Sequence, residues 1–255
     1  MNLFRIERRT TVLLAVLVIS MLIAACSPTE KDPAKRVLND AVKAIGGESK
    51  LTGWTTRIEK GTLISIWAGW GRLTAECTHY TNKPDKLLLD QDYSANDHPF
   101  YFVYTLNGEQ AWAEINLGIR QNQRTTDMLK KRMREVDGIT YFLTSCDSFY
   151  LVPGVPDDSL YSGSDLTRVA CIAGEDTTLL DFLNISHLLA RKIESGQGGE
   201  THLLMDDYRK VSGMKVPFHI RLYENGTLSS EYKWDEISFD VEIDPAIFEK
   251  NRPSG

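Results

Sequence analysis

Three regimes of hydrophobic spacing divide the chain. Val12 to Ala25 is an apolar run, with Ser20 its one polar residue, that follows Arg5, Arg8 and Arg9. Ala34, Val37, Leu38, Ala41, Val42 and Ile45 then recur at helical spacing. Asp32-Pro33 before them reads as an N-cap with proline in the first turn, and Gly46-Gly47 after them as a C-terminal stop. From Trp54 the period becomes two. Ile58, Ile64 and Ile66 alternate with Arg57, Glu59 and Ser65, and strand-like runs follow at 73–80, 86–92 and 100–106. Asn107-Gly108 predicts a two-residue hairpin that joins the last of these to 110–115.

Alternation lapses between Arg124 and Tyr150. Met128, Leu129, Met133 and Val136 fall on one side of a predicted helix whose other side carries Lys130, Lys131, Arg134 and Glu135. Residues 139–150 read as helical or irregular, and 152–164, rich in Pro, Gly, Asp and Ser, as a loop. Strands resume at 166–172, 177–183, 188–194, 200–207, 215–223, 228–234 and 236–243, with a second tight hairpin at Asn225-Gly226. In the late strands Phe218, Ile220 and Leu222 oppose His219, Arg221 and Tyr223, while Ile237, Phe239, Val241 and Ile243 oppose Ser238, Asp240 and Glu242. Each has one wet and one apolar face. So many antiparallel strands with few helices must close, stack or curl. The expected fold is mainly β (α+β): a single curved antiparallel sheet forming an unclosed half-barrel, with an N-terminal helix and a mid-chain helical lid over its apolar concave side.

The run from Val12 to Ala25 falls short of the roughly 20 residues a spanning helix needs. With its basic flank it reads as a secretory signal, and Ile23-Ala24-Ala25-Cys26 as a lipoprotein cleavage box. The expected organisation is a signal at 1–25, lipidated Cys26 and a polar tether at 26–31, one domain at 32–250 and a tail at 251–255. Acyl chains on Cys26 would hold the protein on a membrane surface, each buried methylene contributing about 0.8 kcal/mol. Ser27 stands where an Asp marks inner-membrane retention in bacterial lipoproteins, which favours the periplasmic face of the outer membrane.

The formal charge of the chain is −6, and the leader carries three Arg against Glu7, so the remainder stands at −8. Such a balance excludes a nucleic-acid partner, whose phosphates require clustered cations. With Cys26 lipidated, Cys77, Cys146 and Cys171 remain, enough for one disulfide. Cys77 shares a strand face with Leu73 and Ala75 and should point inward, whereas the irregular segment holding Cys146 can swing against the strand of Cys171. A Cys146–Cys171 bridge is expected. There is no CxxC and no Cys/His pair at metal spacing, so neither metal nor cofactor is expected.

The run from Asp207 to Arg221, D-Y-R-K-V-S-G-M-K-V-P-F-H-I-R, followed by Tyr223-Glu224-Asn225-Gly226, resembles the penultimate strand region of the outer membrane lipoprotein-sorting proteins, the LolA/LolB-like superfamily. Leu180 to Asn184 with Leu188-Leu189-Ala190-Arg191 is similar to the strand-turn-strand stretch of that group, although Asn184-Ile185-Ser186 replaces its usual Pro and Thr. Ala41 to Gly47 with Lys50-Leu51, and Ile243 to Phe248, also fit. The resemblance implies a curved half-barrel plugged by helices, with an apolar cavity that receives acyl chains of lipids or lipoproteins. Its motifs are turn and strand chemistry. No arginine matches the hydrogen-bonding lid position of the periplasmic carriers.

Candidate chemistry narrows toward binding. Asp206 and Asp207 are adjacent in a strand and point to opposite faces, so they cannot share one substrate. His187, His202 and His219 sit among polar neighbours at no converging spacing. Gly163-Ser164-Asp165 lacks the second glycine of a nucleophile elbow. Enzymatic activity is not expected. Trp54, Trp67, Trp70, Trp112 and Trp234 fall in or beside strands, most as core and a subset as cavity wall. The candidate lining is Ile64, Ile66, Trp112, Met128, Leu129, Met133, Phe218, Ile220, Leu222, Ile237 and Phe239. The expected function is acyl-chain binding for lipid or lipoprotein transfer in the cell envelope. The rivals are a sensor that reads lipid and signals to an envelope protein partner, and a structural lipoprotein with a filled core.

Overall fold

A computed structural model describes residues 32–116, 118–155, 157, 161–196 and 198–250. The leader, Cys26 with its tether, and the tail at 251–255 lie outside the described residues. Six strands come first: β1 (Thr56–Trp67), β2 (Gly71–Asn82), β3 (Lys86–Asp92), β4 (Tyr101–Asn107), β5 (Gln110–Ile115) and β6 (Gly118–Arg120). Seven follow: β7 (Ser148–Val152), β8 (Leu166–Ala173), β9 (Asp176–Leu183), β10 (Leu189–Gly196), β11 (Gly199–Val211), β12 (Met214–Glu224) and β13 (Thr227–Phe239). All lie in one antiparallel sheet, ordered β6-β5-β4-β3-β2-β1-β13-β12-β11-β10-β9-β8-β7. Two meanders are thus joined where β1 pairs with β13, and β6 and β7 are the two edges. The sheet is the unclosed half-barrel that the alternation and the resemblance imply.

This order dictates where the helices go. α1 (Pro33–Ile45) and α2 (Glu48–Gly53) precede β1, and the segment from edge strand β6 to edge strand β7 carries α3 (Gln123–Arg134) and α4 (Ile139–Ser145). A chain leaving one edge of a curled sheet to re-enter at the other must cross the hollow, so α3 and α4 form the lid. Asn122 caps α3 by accepting a hydrogen bond from Thr125 N at 2.8 Å. α1 buries Ala34, Leu38, Ala41, Val42 and Ile45 against the concave face, in the main core with Leu51, Trp54, Leu63, Phe142, Val169, Leu180 and Phe182. α3 buries Leu129 and Met133 on Leu87, Leu89, Leu106 and Ala111 of β3–β5. On the convex face Phe248, from the turn after β13, packs with Leu88, Val103 and Ile243.

Register settles which side chains face inward. Arg57, Glu59, Gly61, Leu63 and Ser65 pair with Thr81, His79, Cys77, Ala75 and Leu73 of β2, all on the concave side. Ile64 and Ile66 therefore lie on the convex side, against the expectation that they line the hollow. Ile64 is buried there and Ile66 is 41% exposed. The stretch Leu63-Ile64-Ser65-Ile66-Trp67 has apolar residues in both phases, and the phase that includes Arg57 and Glu59 won. Trp112 pairs with Thr105, which pairs with Leu88 of the convex cluster, so it too faces away from the hollow; its indole N–H donates to Glu114 at 3.0 Å.

Two hairpins differ in detail. Asn225 and Gly226, with φ of 51° and 76°, are the central pair between Glu224 and Thr227, as a type I′ turn demands. The other turn falls one residue later than expected: Asn107 pairs with Gln110, and Gly108, φ 61°, leads the central pair. Positive φ at the first central residue alone is the type II′ pattern. β7 replaces part of the segment expected to be helical or irregular. At Gly61 the pairing with β13 shifts register, and a Cβ there would collide with the Lys233 carbonyl and lie 2.8 Å from Trp234 Cα. Only glycine lets the two meanders approach so closely.

On the convex side of the C-terminal meander Asp181 is fully buried between two arginines from neighbouring strands. Arg168 donates from Nε at 2.6 Å and Nη2 at 2.9 Å, and Arg191 donates from Nε at 2.7 Å. Asp181→Asn should destabilise the protein by about 3–5 kcal/mol, because it removes the buried carboxylate that the two guanidinium groups share in a low-dielectric setting. Chemical denaturation of the two forms reads that difference.

Candidate functional site

Between the lid and the concave face lies a cavity of about 540 Å³. Its wall is β11–β13, with Leu203, Met205, Ile220, Leu222, Ile237 and Phe239, joined by Leu189 of β10. Ile45, Leu51 and Trp54 close one side, and Met128, Val136 and Ile139 of the lid close another. The size falls within the 300–1,000 Å³ typical of small-molecule sites, about a third of the way up. Of the candidates from the sequence, Ile220, Leu222, Ile237, Phe239 and Met128 border this space. Leu129 and Met133 fill the lid's contact with β3–β5 instead, and Phe218 belongs to the main core, beneath the Arg209 guanidinium at 4.3 Å. Met128 and Leu129 divide because neighbouring helical positions stand about 100° apart, and Met128 is the one left 45% exposed.

The lid is pinned to both meanders. Cys146, just after α4, is disulfide-bonded to Cys171 on β8, with Cα atoms 5.8 Å apart, and Cys77 is a buried free thiol. Burial, and then the charge of Glu59, push the Cys77 thiol up to about 12, so it stays protonated. Along β10 four charges interlock: Lys131 Nζ meets Glu194 at 2.9 Å, and Lys192 Nζ meets Glu135 at 2.7 Å and Glu194 at 3.4 Å. Burial opposes ionisation of Glu194, yet Lys192 and Lys131 hold its carboxyl below the usual range. On the other side Lys83 pairs with Asp137 and lies 3.9 Å from the Trp54 ring centroid.

A polar cluster, which sequence reasoning missed, lies on the concave wall beneath α3. Arg132 reaches down from the lid, and its Nη2 donates to His79 Nδ1 at 3.1 Å. Glu59 lies 3.9 Å from the same nitrogen and 3.3 Å from Arg57 Nη2. Tyr232 and Trp234 pack edge-on to the imidazole at centroid distances of 5.5 and 4.8 Å. Burial, then the charges of Arg132 and Arg57, hold the His79 pKa well below 6.5, so the ring is neutral. A guanidinium only donates, so Nδ1 accepts and the ring proton is on Nε2. The signal was present in β2: His79 falls in phase with Leu73, Ala75 and Cys77, an ionisable residue on an apolar face.

No family model and no curated protein matches the chain. Solved structures do. A DUF1329 family protein from Desulfovibrio piger is 14% identical with a TM-score of 0.57, covering 86% of this chain and 98% of that one. An outer membrane lipoprotein-sorting protein domain from Vibrio parahaemolyticus is 11% identical at 0.56, covering 86% and 98%. A LolA superfamily protein from Nitrosomonas europaea is 9% identical at 0.53, covering 85% and 97%. The fold is LolA-like. At these identities the LolA-like scaffold is what is shared, and function must be argued from the cavity.

Two outcomes test this arrangement. Cys146→Ser with Cys171→Ser frees a cross-link spanning 25 residues and should cost about 3 kcal/mol by the chain-entropy argument. Thermal or chemical melts measure that loss directly. As for pH, unfolded His79 takes up a proton below 6.5 and the folded ring does not, so its contribution is complete above 6.5 and is lost as pH falls toward and through the much lower folded value. The difference in stability between wild type and His79→Gln should shrink as the pH is lowered from 6.5, and a difference that grows would contradict a buried neutral ring.

Proposed function

We propose that this chain is an envelope lipoprotein that shelters acyl chains of lipids or lipoproteins in the cavity under its lid, and hands them on in transfer or sorting. The observation that carries this reading is the hollow itself: a predominantly apolar space between lid and sheet, where a solid core could have formed. Apolar lining gives favourable burial of hydrocarbon, on the order of 25 cal/mol per Å² removed from water. Met128 suits a lid that must fit chains of varied shape, because its thioether side chain repacks easily. The leader and cleavage box support anchoring through Cys26 on the periplasmic face of the outer membrane. The shared scaffold, one relative of which is described as lipoprotein-sorting, supports the same direction. No described helix is long and apolar enough to cross a membrane. The role proposed is non-enzymatic.

Ile220→Ala tests the hollow. Ile220 borders the cavity and is only partly buried, so its truncation should cost well under the roughly 2–5 kcal/mol of a filled core, while weakening uptake of a fluorescent fatty acid. Native mass spectrometry of the gently purified protein should show lipid adducts. A large stability loss with no uptake by either form sinks this reading and leaves a packed structural domain.

A further inference from the structure

We propose that the ligand of this cavity is a single-chain amphiphile with an acidic head, a fatty carboxylate, its tail along β11–β13 and its carboxylate at the Arg57/Arg132 end. The inference rests on the acyl-chain reading above and narrows it to a class of ligand.

Volume limits the tail. A methylene takes up about the space of a water molecule, roughly 30 Å³. The 540 Å³ cavity then holds one long chain. The three chains of a lipoprotein anchor, at about 16 carbons each, need more than twice that volume.

Charge selects the head. Most ionic groups around the cavity answer one another: Lys131 and Lys192 meet Glu194 and Glu135, and Lys83 meets Asp137. Lys215 lies exposed at the rim. Arg57 and Arg132 both line the cavity, with Glu59 as the carboxylate beside them. Arg132 hydrogen-bonds to the neutral His79 ring and to Tyr232, neither of which cancels its charge, and among the described residues no carboxylate is in ion-pair contact with it. Around this pair lies an excess of donors. Trp234, a lining residue that is 3% exposed, has its indole N–H buried without an acceptor, and the same holds for Arg57 Nε and for His79 Nε2. Buried donors are normally matched. Glu59 answers Arg57, and the Thr81 hydroxyl across from Arg57 is also without a partner, so what this end lacks is a counter-charge for Arg132 and enough acceptors for these N–H groups; an ionised carboxylate supplies both through two oxygens that only accept. An alcohol or ester head supplies weaker acceptors and no charge.

The experiment displaces N-phenylnaphthylamine, a neutral fluorophore, from the purified full chain with dodecanoate, with dodecanol of equal chain length, and with two-chain didodecanoyl phosphatidate. Dodecanoate should compete roughly tenfold or more better than dodecanol, as a charge-assisted hydrogen bond implies, and phosphatidate should compete poorly. Arg132→Gln should reduce the dodecanoate-to-dodecanol ratio to about one. Trp234→Phe keeps the ring and deletes one N–H, and should lower the ratio by severalfold in a chain that still folds. Equal competition by dodecanoate and dodecanol in the wild type, or a ratio unchanged in both variants, overturns the carboxylate assignment and leaves the acyl cavity standing. Phosphatidate competing as well as dodecanoate overturns the single-chain limit. Failure of both single-chain ligands to displace the fluorophore defeats the acyl-chain reading itself.

Discussion

β1 and β13 lie near opposite ends of the domain, yet they meet as an antiparallel pair, and that pairing turns two separate meanders into one curled sheet. Without it the N-terminal and C-terminal strands would be two small sheets, each with an apolar face and nothing to enclose. The seam depends on a single backbone fit, Gly61 against Lys233 and Trp234, where the ladder slips register. Every other feature of the hollow follows from it: the placing of the edges at β6 and β7, the path of the lid between them, and the meeting of Glu59 and His79 with Trp234 beside the seam.

The distribution of packing explains why the sheet is solid in one place and hollow in another. Helix α1 and the ring of Leu63, Phe142, Leu180 and Phe182 fill one part of the concavity, and Leu129 with Met133 fill another. Between them the lid spans β11–β13 with smaller reach and charged side chains, and space remains. The charged residues of the lid therefore do two jobs. Lys131 and Glu135 fasten it to β10, while Arg132 turns inward, where its charge is least screened by water.

Much of the fold was legible from alternation alone: the β-rich class, the opening helix, the mid-chain lid and nearly every strand carry clean periodicity. Legibility failed where local pattern does not choose between alternatives. Leu63 and Ile64 are equally apolar, so β1 could be read in either phase, and Ile64 and Ile66 were assigned inward when cross-strand pairing with β2 sends them out. The run at 110–115 does not by itself tell which face Trp112 takes, and its register partner Thr105 belongs to the outer one. Strand β7 is short and follows a helix, too little chain for a period to show. The polar cluster was invisible for a different reason: Arg57, Glu59, His79 and Arg132 are dispersed along the chain, and each looks like a solvated residue until the sheet and lid bring them together.

The meander order carries a consequence for the protein's birth. Because β1 waits for β13, the strand on its open flank is the last of the sheet to be synthesised, and the mid-chain lid emerges long before the wall it must cover. Throughout synthesis the future lining of the cavity has no inside to face. An unfinished chain of this topology is a strip of half-greasy hairpins with a free edge at β1, the kind of intermediate that sticks to its neighbours. Long-range closure of this sort is also slow relative to local hairpin formation. A topology that encloses a cavity once complete is itself in need of protection until β13 arrives.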